Sequence, residues 1–407
     1  MKKLDEVIPY FEQVRLTSAH WPIESVAMIA GTKAQAKWSA FPKAATLSNG
    51  RLGHGAGLSS SEAATRAAGE LVEIASCCAW GDEQLLCASP LEVAGESWDP
   101  RVVAGFSDEQ FKDRNAWNQK LDGLDWVPPQ ADPSRPIAWI EGRSLPDGSA
   151  ILLPADAVLI GRRDKGDEGA VAVADTNGCA AGETPEDALL SALYELIERD
   201  ATGRWWYGQQ ASPALDPDLV VLNPAVQENL LRRGRSLWLL DITSDLGVPT
   251  VAAIATDRDG CHVGAGFATR AIILDAAQSA INELMQMEQK IAGVRSKLWS
   301  DPDLAHWFRE VEFGGHAPFE RNGSTVGKPK GEAAQSVAAC LRRLDEYACR
   351  VAVFDMTRAG FGVPVCRAVS PDLCHWKPRF GRRRLVETEG LLLAFGTSSL
   401  NPWLLRV

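Results

Sequence analysis

The chain has 407 residues, enough to bury a large core, and its 23% charged and 45% hydrophobic residues are typical of a folded globular protein. Its formal net charge of −11 argues against a protein that binds the phosphate backbone of nucleic acids. No apolar stretch approaches the length needed to span a membrane, which argues against an integral membrane protein.

The cysteines and the N-terminal sequence indicate in which cellular compartment the protein is expected. The nine cysteines have no regular spacing, so we expect free thiols rather than a disulfide framework or a zinc site. Residues 1–6 are mostly charged and no apolar run follows them, so we predict no signal peptide. Together these features predict a cytoplasmic protein.

The chain begins with a predicted N-terminal element at residues 1–45, which includes a strand-like segment at 26–30. A glycine-rich loop at 48–57 follows and leads into a helix that carries acids. Backbone N–H groups in such a loop can hold a phosphate at the start of a helix. The loop matches neither the Walker A sequence nor the dinucleotide-binding fingerprint, so we reject both sites.

Three predicted helices carry acids in one pattern, at offsets of zero, eight and eleven residues. The three sets are Glu62, Glu70 and Glu73; Asp187, Glu195 and Glu198; and Asp275, Glu283 and Gln286, in which an amide replaces the last acid. A second echo, Asp-Ile-Thr at 241–243 and Asp-Met-Thr at 355–357, supports a duplication. Repeats this far apart do not form a solenoid. They predict similar subdomains arranged around a shared centre.

The second of these helices has the clearest start. Thr184 is placed to cap it, and Asp187 is placed to complete a capping box. Glu195 and Glu198 follow on one face, because residues three and four apart are neighbours on a helix. Glu195 has Arg199 four residues on, whereas Glu198 has no basic residue four positions away. We therefore expect at least one acid on this face to lack a local countercharge.

A simpler interpretation of the acids has to be weighed. Glu62 and Asp187 each follow a Ser or Thr by three residues, so both could serve only to complete capping boxes. Glu70 could pair with Arg66, and Glu195 with Arg199, on solvated helix faces. The mid-helix position and the repetition of the paired acids favour a functional cluster instead.

Helices that present carboxylates from faces of small residues can pack closely and direct several acids at one place. Like charges so close together are tolerated only with cations between them or with protons taken up. Ligands that are all oxygen favour Mg²⁺, which usually bridges carboxylates to substrate phosphates. No Ser/His/Asp or Cys/His arrangement stands out, and we interpret the six scattered histidines as structural.

The remaining pattern predicts strands, one further helix and several loops. The predicted strands are at 136–143 and 150–154, which a turn joins, and at 237–241, 251–255, 350–356 and 363–369. A helix is predicted at 333–348, and loops at 88–136 (with one short helix), 175–182 and 320–332. The fourteen tryptophans could line a peptide groove but are more typical of a core, as is the aromatic run at 205–207 after the second acidic helix.

Taken together, several short motifs resemble the YcaO family over roughly residues 48–367. They are Ser-Asn-Gly at 48–50, Gly-Glu-Leu-Val-Glu at 69–73, Trp-Ile-Glu-Gly at 139–142, Asn-Gly at 177–178, Ala-Gly at 181–182, Glu-Leu-Ile-Glu-Arg-Asp at 195–200, Glu-Leu-Met-Gln at 283–286 and Cys-Arg at 366–367. The resemblance implies an α+β fold in which repeated helix/strand subdomains surround a central ATP/Mg²⁺ site. It places the catalytic domain at 46–400, after the N-terminal element.

The resemblance also implies an ATP-dependent enzyme that phosphorylates the oxygen of a peptide backbone amide after a nucleophile adds to the carbonyl. Products in the family include azolines from cyclodehydration, thioamides and amidines. By motif match, the residues implied to hold Mg²⁺ are Glu70, Glu73, Glu195 and Glu198. Those implied to bind ATP are Ser48, Asn49, Arg51, Asn177, Ser191, Arg199 and Arg367, and those implied in catalysis are Arg199, Glu283 and Gln286.

The end of the sequence departs from part of the family. Many azoline-forming members end in a proline-alternating tail, whereas the last seven residues here contain a single proline, Pro402. That difference favours thioamide or other backbone chemistry and leaves the azoline open. We expect a ribosomally synthesised precursor peptide and a separate protein that binds its leader or transfers sulfur; a homodimer stays open. The alternative from another class is a non-catalytic nucleotide-binding scaffold subunit.

Overall fold

The computed structural model of the chain contains three β-sheets, and a long helix packs beside each of them. It describes residues 3, 6–8, 11–15, 24–30, 53–57, 59–215, 220, 222–295, 302–319, 321–325, 334–386 and 400–406. No helix within these residues is both long and apolar enough to cross a membrane. All nine cysteines are free thiols, as predicted.

The elements are numbered along the described chain. The strands are β1 (Phe11–Arg15), β2 (Glu24–Ala30), β3 (Gly53–Gly57), β4 (Leu86–Ala88), β5 (Ile137–Leu145), β6 (Ala150–Pro154), β7 (Cys179–Ala181), β8 (Ser212–Leu215), β9 (Arg235–Asp241), β10 (Thr250–Asp257), β11 (Gly264–Thr269), β12 (Arg321–Thr325), β13 (Val351–Asp355) and β14 (Val365–Val369). The α-helices are α1 (Ser60–Cys77), α2 (Pro100–Ala104), α3 (Asp108–Lys112), α4 (Arg114–Lys120), α5 (Ala155–Val158), α6 (Pro185–Tyr207), α7 (Pro224–Arg232), α8 (Ile273–Arg295), α9 (Pro302–Glu310), α10 (Val337–Glu346) and α11 (Arg383–Val386).

Each sheet ends at a strand that precedes one of the three acidic helices. The strand order is β1-β2-β3 in the first sheet, β4-β5-β13-β14-β7 in the second, where β6 also pairs with β5, and β11-β10-β9-β8-β12 in the third. The terminal strands β3, β7 and β11 lead into α1, α6 and α8. This threefold repetition of an edge strand and a helix confirms the predicted α+β fold with repeated subdomains.

Small residues allow these helices to lie directly on the strands. A Cβ at Gly55 would overlap the carbonyl oxygen of Ala63, and a Cβ at Gly266 would overlap the carbonyl oxygen of Ala280. The alanines that recur in the three helices are all fully buried: Ala63, Ala67, Ala188, Ala192, Ala276 and Ala280. The recurring alanines of the sequence therefore mark the faces where helix and strand backbones approach most closely.

Residues 53–57 form strand β3, so the prediction of a loop through this segment is wrong. β3 pairs antiparallel with β2, and Gly57 lies opposite Glu24. Its glycines resemble a loop in composition, but they are required because the strand lies against the backbone of α1. The pairing of β2 with β3 joins residues on both sides of the predicted boundary at 45/46, and that division stays a prediction.

Most other predicted elements are confirmed, with four corrections. Residues 179–181 of the predicted loop at 175–182 form strand β7. β5 and β6 form the predicted hairpin, with Gly142 opposite Ile151, and the four later strands and α10 lie where expected. α6 continues through Tyr207, so the aromatic run belongs to its last turns; these side chains are buried, as expected of a core. Residues 321–325 form β12, which pairs in parallel with β8, rather than a loop. Residues 100–120 hold three short helices instead of one.

Candidate functional site

A cavity of about 470 Å³ lies where the three acidic helices meet. It is lined by Glu70 of α1, Glu195 of α6 and Glu283 of α8. These are the three residues at offset eight of the sequence repeat, so the repeat brings one carboxylate from each helix to a single place. Gln286 and Lys290, which follow Glu283 at helical spacing on α8, line the same cavity.

Edge strands orient two of these carboxylates. The backbone N–H of His54 in β3 donates to Oε2 of Glu70 at 2.7 Å. The backbone N–H of Phe267 in β11 donates to Oε2 of Glu283 at 3.3 Å. In both cases the donor belongs to the strand that precedes the helix carrying the acid. Each strand and helix unit therefore fixes the direction of its own carboxylate through a charge-assisted hydrogen bond.

The acids at offset eleven lie behind the cavity wall. Glu73 lies beside β7, where the backbone N–H of Ala181 donates to it. Glu198 is only 6% exposed, and its Oε2 accepts from the backbone N–H of Thr269 at 3.2 Å. Neither carboxylate is among the groups that line the cavity, whereas Gln286, the amide at the same offset, is.

Arg199 lies between the two acids of α6. Its Nη2 is 3.3 Å from Oε1 of Glu195, and its Nη1 is 3.2 Å from Oε1 of Glu198. The expectation that one acid on this face lacks a local countercharge is therefore wrong. A guanidinium has two terminal nitrogens, so one arginine can contact both a carboxylate one turn away and its immediate neighbour.

The interpretation of these acids as a solvated helix face is also wrong. The side chains of Glu195 and Glu198 are only 22% and 8% exposed. Arg66 pairs with Glu62, whose Oε1 lies 2.6 Å from its Nη2, and not with Glu70. The two acids of α6 are therefore held largely inside the protein.

Of the acids at offset zero, Asp187 serves the start of its helix, whereas the carboxylate of Glu62 pairs with Arg66. In α6, the N–H of Thr184 donates to Oδ2 of Asp187, and the N–H of Asp187 donates to Oγ1 of Thr184, both at 3.1 Å. This is the predicted capping box. In α1, Oγ of Ser59 accepts from the N–H of Glu62 at 3.2 Å. The capping interpretation is thus confirmed for Asp187, and it separates offset zero from the functional positions.

Burial raises the pKa of every carboxyl in the cluster. It brings the pKa of Glu70 to about 6. Burial and the nearby Glu198 outweigh the adjacent arginine and raise the pKa of Glu195 to about 7. Burial and then Glu198 raise the pKa of Glu283 to about 8, although water in the cavity reaches this carboxyl. Burial also raises the pKa of Glu73 and of Glu198. Such a cluster takes up protons or cations near neutral pH.

The donor atoms of the cavity fit a hard divalent cation. Carboxylate and amide oxygens line it, and no cysteine among the described residues does so. Mg²⁺ prefers such oxygens and commonly shares them with water and substrate phosphates. In the part of the chain that the structure describes, no three Asp, Glu, His or Cys side chains form a ready-made metal cage.

A second part of the cavity wall carries positive charge. Nζ of Lys377 and Nη2 of Arg379 lie 3.0 and 3.1 Å from Oδ2 of Asp175. Burial alone would raise the pKa of Asp175, but these two cations hold it well below its usual value. Burial lowers the pKa of the adjacent His375 to about 4, so this imidazole adds no charge at neutral pH. Lys377 and Asp175 line the cavity directly.

The structure places the predicted site residues in five groups. Those that line the cavity are Glu70, Asn177, Glu195, Arg199, Glu283 and Gln286. Glu73 and Glu198 lie behind them. Arg367 lines a smaller adjoining cavity, while Ser191 is exposed on α6 and does not line the large one. Ser48, Asn49 and Arg51 lie outside the described residues.

Several polar residues of the cavity were missed by sequence reasoning. Lys290 follows Gln286 by four residues, a helical spacing that could have identified it. His54 lies in the segment that was predicted to be a loop, and Asp175 and Lys377 are 202 residues apart. No local periodicity connects residues so distant in sequence, so only the fold could bring them together.

Comparison with known proteins identifies one family. The family model described as YcaO cyclodehydratase, ATP- and Mg²⁺-binding, matches residues 54–374. A protein of Rhizobium leguminosarum bv. trifolii, described as an uncharacterized protein in the tfuA 3′ region, is 31% identical over 190 residues. That alignment covers 40% of this chain and 44% of the relative.

Solved structures confirm the fold. A heterocyclase in complex with substrate and cofactor has a TM-score of 0.84 and 24% identity, and the match covers 100% of this chain and 57% of that one. The YcaO protein from Methanopyrus kandleri, bound with AMPPCP and Mg²⁺, has a TM-score of 0.57 and 19% identity over 91% of this chain and 87% of that one. The chain therefore spans less than two thirds of both the Rhizobium relative and the heterocyclase.

Proposed function

The chain belongs to the YcaO family, and on that premise we propose that it uses ATP and Mg²⁺ to phosphorylate the oxygen of a backbone amide in a peptide substrate. One observation carries the proposal: Glu70, Glu195 and Glu283, one from each repeated helix, converge on a single cavity. Their raised pKa values are expected of carboxylates gathered to bind a cation, because a cation relieves the repulsion that protons otherwise relieve.

The residues of the cavity have separate roles in this proposal. Glu70 of α1 and Glu195 of α6 would hold Mg²⁺, and Glu283 of α8 lines the same cavity and would complete the site. Glu73 and Glu198 are proposed as further ligands from the family resemblance alone, because neither lines the cavity and both oxygens of Glu198 already have partners, Thr269 and Arg199. Their present hydrogen bonds fix the carboxylates in direction before any ion arrives.

Positive side chains complete the nucleotide site. Arg199 is held between two acids and presents its guanidinium to the cavity, while Lys290 and Lys377 add charge from α8 and from the C-terminal segment. Bound Mg²⁺–ATP supplies the phosphoryl group. The chain positions the phosphates and the peptide amide, since phosphoryl transfer needs positioning and electrostatic stabilisation more than a protein nucleophile. Gln286 is proposed to orient the reacting amide through its own amide group.

The peptide is proposed to be a ribosomally synthesised precursor, with a thioamide or an azoline as product and an amidine as the alternative. A separate protein is proposed to deliver the leader or the sulfur. The Rhizobium relative is described by its position beside tfuA, which supports a neighbouring gene product as that partner. The heterocyclase with substrate and cofactor supports the azoline.

The test is a reconstitution of chain, precursor peptide and partner, with nucleotide release and peptide mass followed together. We expect ADP or AMP to appear in step with a mass change, loss of water for an azoline or replacement of oxygen by sulfur for a thioamide. Glu195→Gln should abolish both signals. Glu186→Gln, an exposed acid on the first turn of the same helix, should leave them unchanged.

The same experiment tests the scaffold alternative. A scaffold subunit would leave peptide modification intact after Glu195→Gln, because another protein would carry out the chemistry. Release of neither ADP nor AMP by the complete mixture, while the peptide is still modified, would contradict the proposal.

A further inference from the structure

A second, smaller cavity adjoins the large one. Its volume is about 30 Å³, room for roughly two water-sized spheres, since one water needs about 10–15 Å³. Asp175 and Asn177 line both cavities, whereas Arg367 of β14 and Arg382 of the C-terminal segment line only the small one. The small cavity therefore lies within the wall of the candidate nucleotide site.

Three buried polar atoms of this cavity lack hydrogen-bond partners. They are Nε of Arg367, Nε of Arg382 and Oδ1 of Asn177. None of the three has a hydrogen-bond partner among the residues that the structure describes. The two arginines are only 3% and 5% exposed. Buried donors of charged groups are rarely left unsatisfied, because each costs its full desolvation.

The two arginines also lack a countercharge. Arg382 donates to the backbone carbonyls of Val102, Val103 and Ser370. Arg367 donates to the carbonyl of Asp175 and to Sγ of Cys179. Within residues 59–215 and 334–386, where all these groups lie, neither guanidinium forms an ion pair. The direct contacts of both positive charges are therefore with neutral groups, and the carboxylates of Asp175 and Asp372 act on Arg382 only at longer range.

The third arginine of the cavity provides the contrast. Arg379 is neutralised by Asp125, whose Oδ2 lies 2.8 Å from its Nε, and by Asp175. Lys377 shares the Asp175 carboxylate. The carboxylates of Asp125 and Asp175 thus face four cations, an excess of two positive charges, since the nearby Asp372 is already paired with Arg350 and Arg383. Burial and then Arg379 lower the pKa of Arg382 to about 10, which reflects this uncompensated charge.

We propose that the small cavity binds a monatomic inorganic anion of the size of chloride, held by the guanidinium groups of Arg367 and Arg382. Water could satisfy the free N–H groups but would leave both charges buried and unpaired. An unpaired buried charge costs more free energy than an unsatisfied N–H group. An anion satisfies the N–H groups and the charge together. The side-chain amide of Asn177 can turn its NH₂ toward the anion, because the oxygen and nitrogen of an amide are interchangeable in assignment.

The anion would join three parts of the chain. Asn177 precedes β7, Arg367 lies on β14 and Arg382 belongs to the segment that also supplies Lys377. Binding of the anion is independent of the proposed function. Only its effect on the nucleotide cavity, exerted through Asp175 and Asn177, rests on that function.

The test uses the full chain without nucleotide, peptide or partner. Thermal unfolding is followed while sodium chloride replaces sodium gluconate at constant ionic strength, since gluconate is too large for the cavity. We expect a saturable rise in Tm with chloride for the wild type. Arg382→Gln should lose the saturable rise. Arg383→Gln should keep it, because Arg383 is partly exposed and pairs with Asp372 outside the cavity.

Crystals of the wild type grown in sodium bromide give an independent readout that needs no variant. An anomalous bromide peak between Arg367 and Arg382 would confirm the site. A cavity that holds only water at high bromide, or a Tm response to chloride that Arg382→Gln shares with the wild type, would overturn the proposal. Neither result bears on ATP-dependent chemistry, so failure here is distinguishable from failure of the proposed function.

Discussion

The backbone N–H of His54 donates to Oε2 of Glu70 across 2.7 Å, so the strand that precedes α1 holds the carboxylate that α1 carries. The same relationship recurs between Phe267 in β11 and Glu283 in α8. Such a bond requires the strand backbone to lie almost in contact with the helix. The acids of the cluster and the glycine-rich strands therefore belong to the same repeated strand and helix unit.

The close contact between strand β11 and helix α8 makes Gly266 sensitive to substitution. Gly266→Ala should destabilise the protein by about 2–4 kcal/mol, because the new Cβ would overlap the backbone of α8 at Leu284 and Ala280. It should also weaken Mg²⁺ binding, since Phe267 would move from Glu283. Urea unfolding measures the first effect. Gly314→Ala is the control: a Cβ there meets no atom within 4 Å, so stability should change by no more than about 0.5 kcal/mol.

The acid cluster should make stability depend on pH. The pKa values of Glu70, Glu195 and Glu283 rise to about 6, 7 and 8 in the folded chain. Three histidines, whose pKa values burial lowers, oppose this effect mainly below about pH 7, so the native state binds more protons than the unfolded state between about pH 7 and 8. Without Mg²⁺, the free energy of unfolding should therefore fall as pH rises through this window. Urea midpoints measured across that range test the prediction, and a stability that rises with pH there would contradict it.

Added Mg²⁺ should reverse that trend. The cation binds the ionised carboxylates, so its stabilising effect should be small near pH 5 and should grow toward pH 8 as protons leave. Each bound ion should release protons, which a weakly buffered titration detects directly. A stabilising effect of Mg²⁺ that is independent of pH would place the ion away from these acids.

Lys377 should contribute to nucleotide binding. Lys377→Gln should raise the Kd for ATP about 10-fold, or roughly 1.4 kcal/mol, because it removes a cation that Asp175 holds at the cavity wall. Lys165→Gln is the matched control, since Nζ of Lys165 donates to the carbonyl of Gly123 and does not line the cavity. Fluorescence titration with a labelled ATP analogue measures both. Equal effects of the two variants would show that Lys377 acts only through long-range charge.

Sequence reasoning singled out three carboxylates that line the cavity because their pattern is local. The offsets of eight and eleven residues placed Glu70, Glu195 and Glu283 at equivalent positions of three helices, and helical geometry then brought equivalent positions to a shared centre. The capping box of Thr184 and Asp187 was predicted for the same reason. Each of these signals is complete within about three turns of helix.

The features that sequence reasoning predicted wrongly or missed have different physical causes. Residues 53–57 have the composition of a loop, but Gly55 is selected by contact with α1 rather than by a turn. The contact of Arg199 with Glu198 depends on how one side chain folds along its helix, which spacing rules do not describe. Arg382 carries a full charge, yet it is buried in the fold, which no local pattern in the sequence indicates. Contacts between distant segments decide all such cases.

The central claim is that carboxylates from the repeated helices hold the metal ion that binds ATP. The most direct measurement is a crystal structure of the chain with Mn²⁺ in place of Mg²⁺ and with AMPPCP, in which anomalous scattering locates the ion. We predict a peak within bonding distance of carboxylate oxygens of Glu70 and Glu195 and of a phosphate oxygen. A peak bonded to neither residue, with AMPPCP bound elsewhere, would contradict the account.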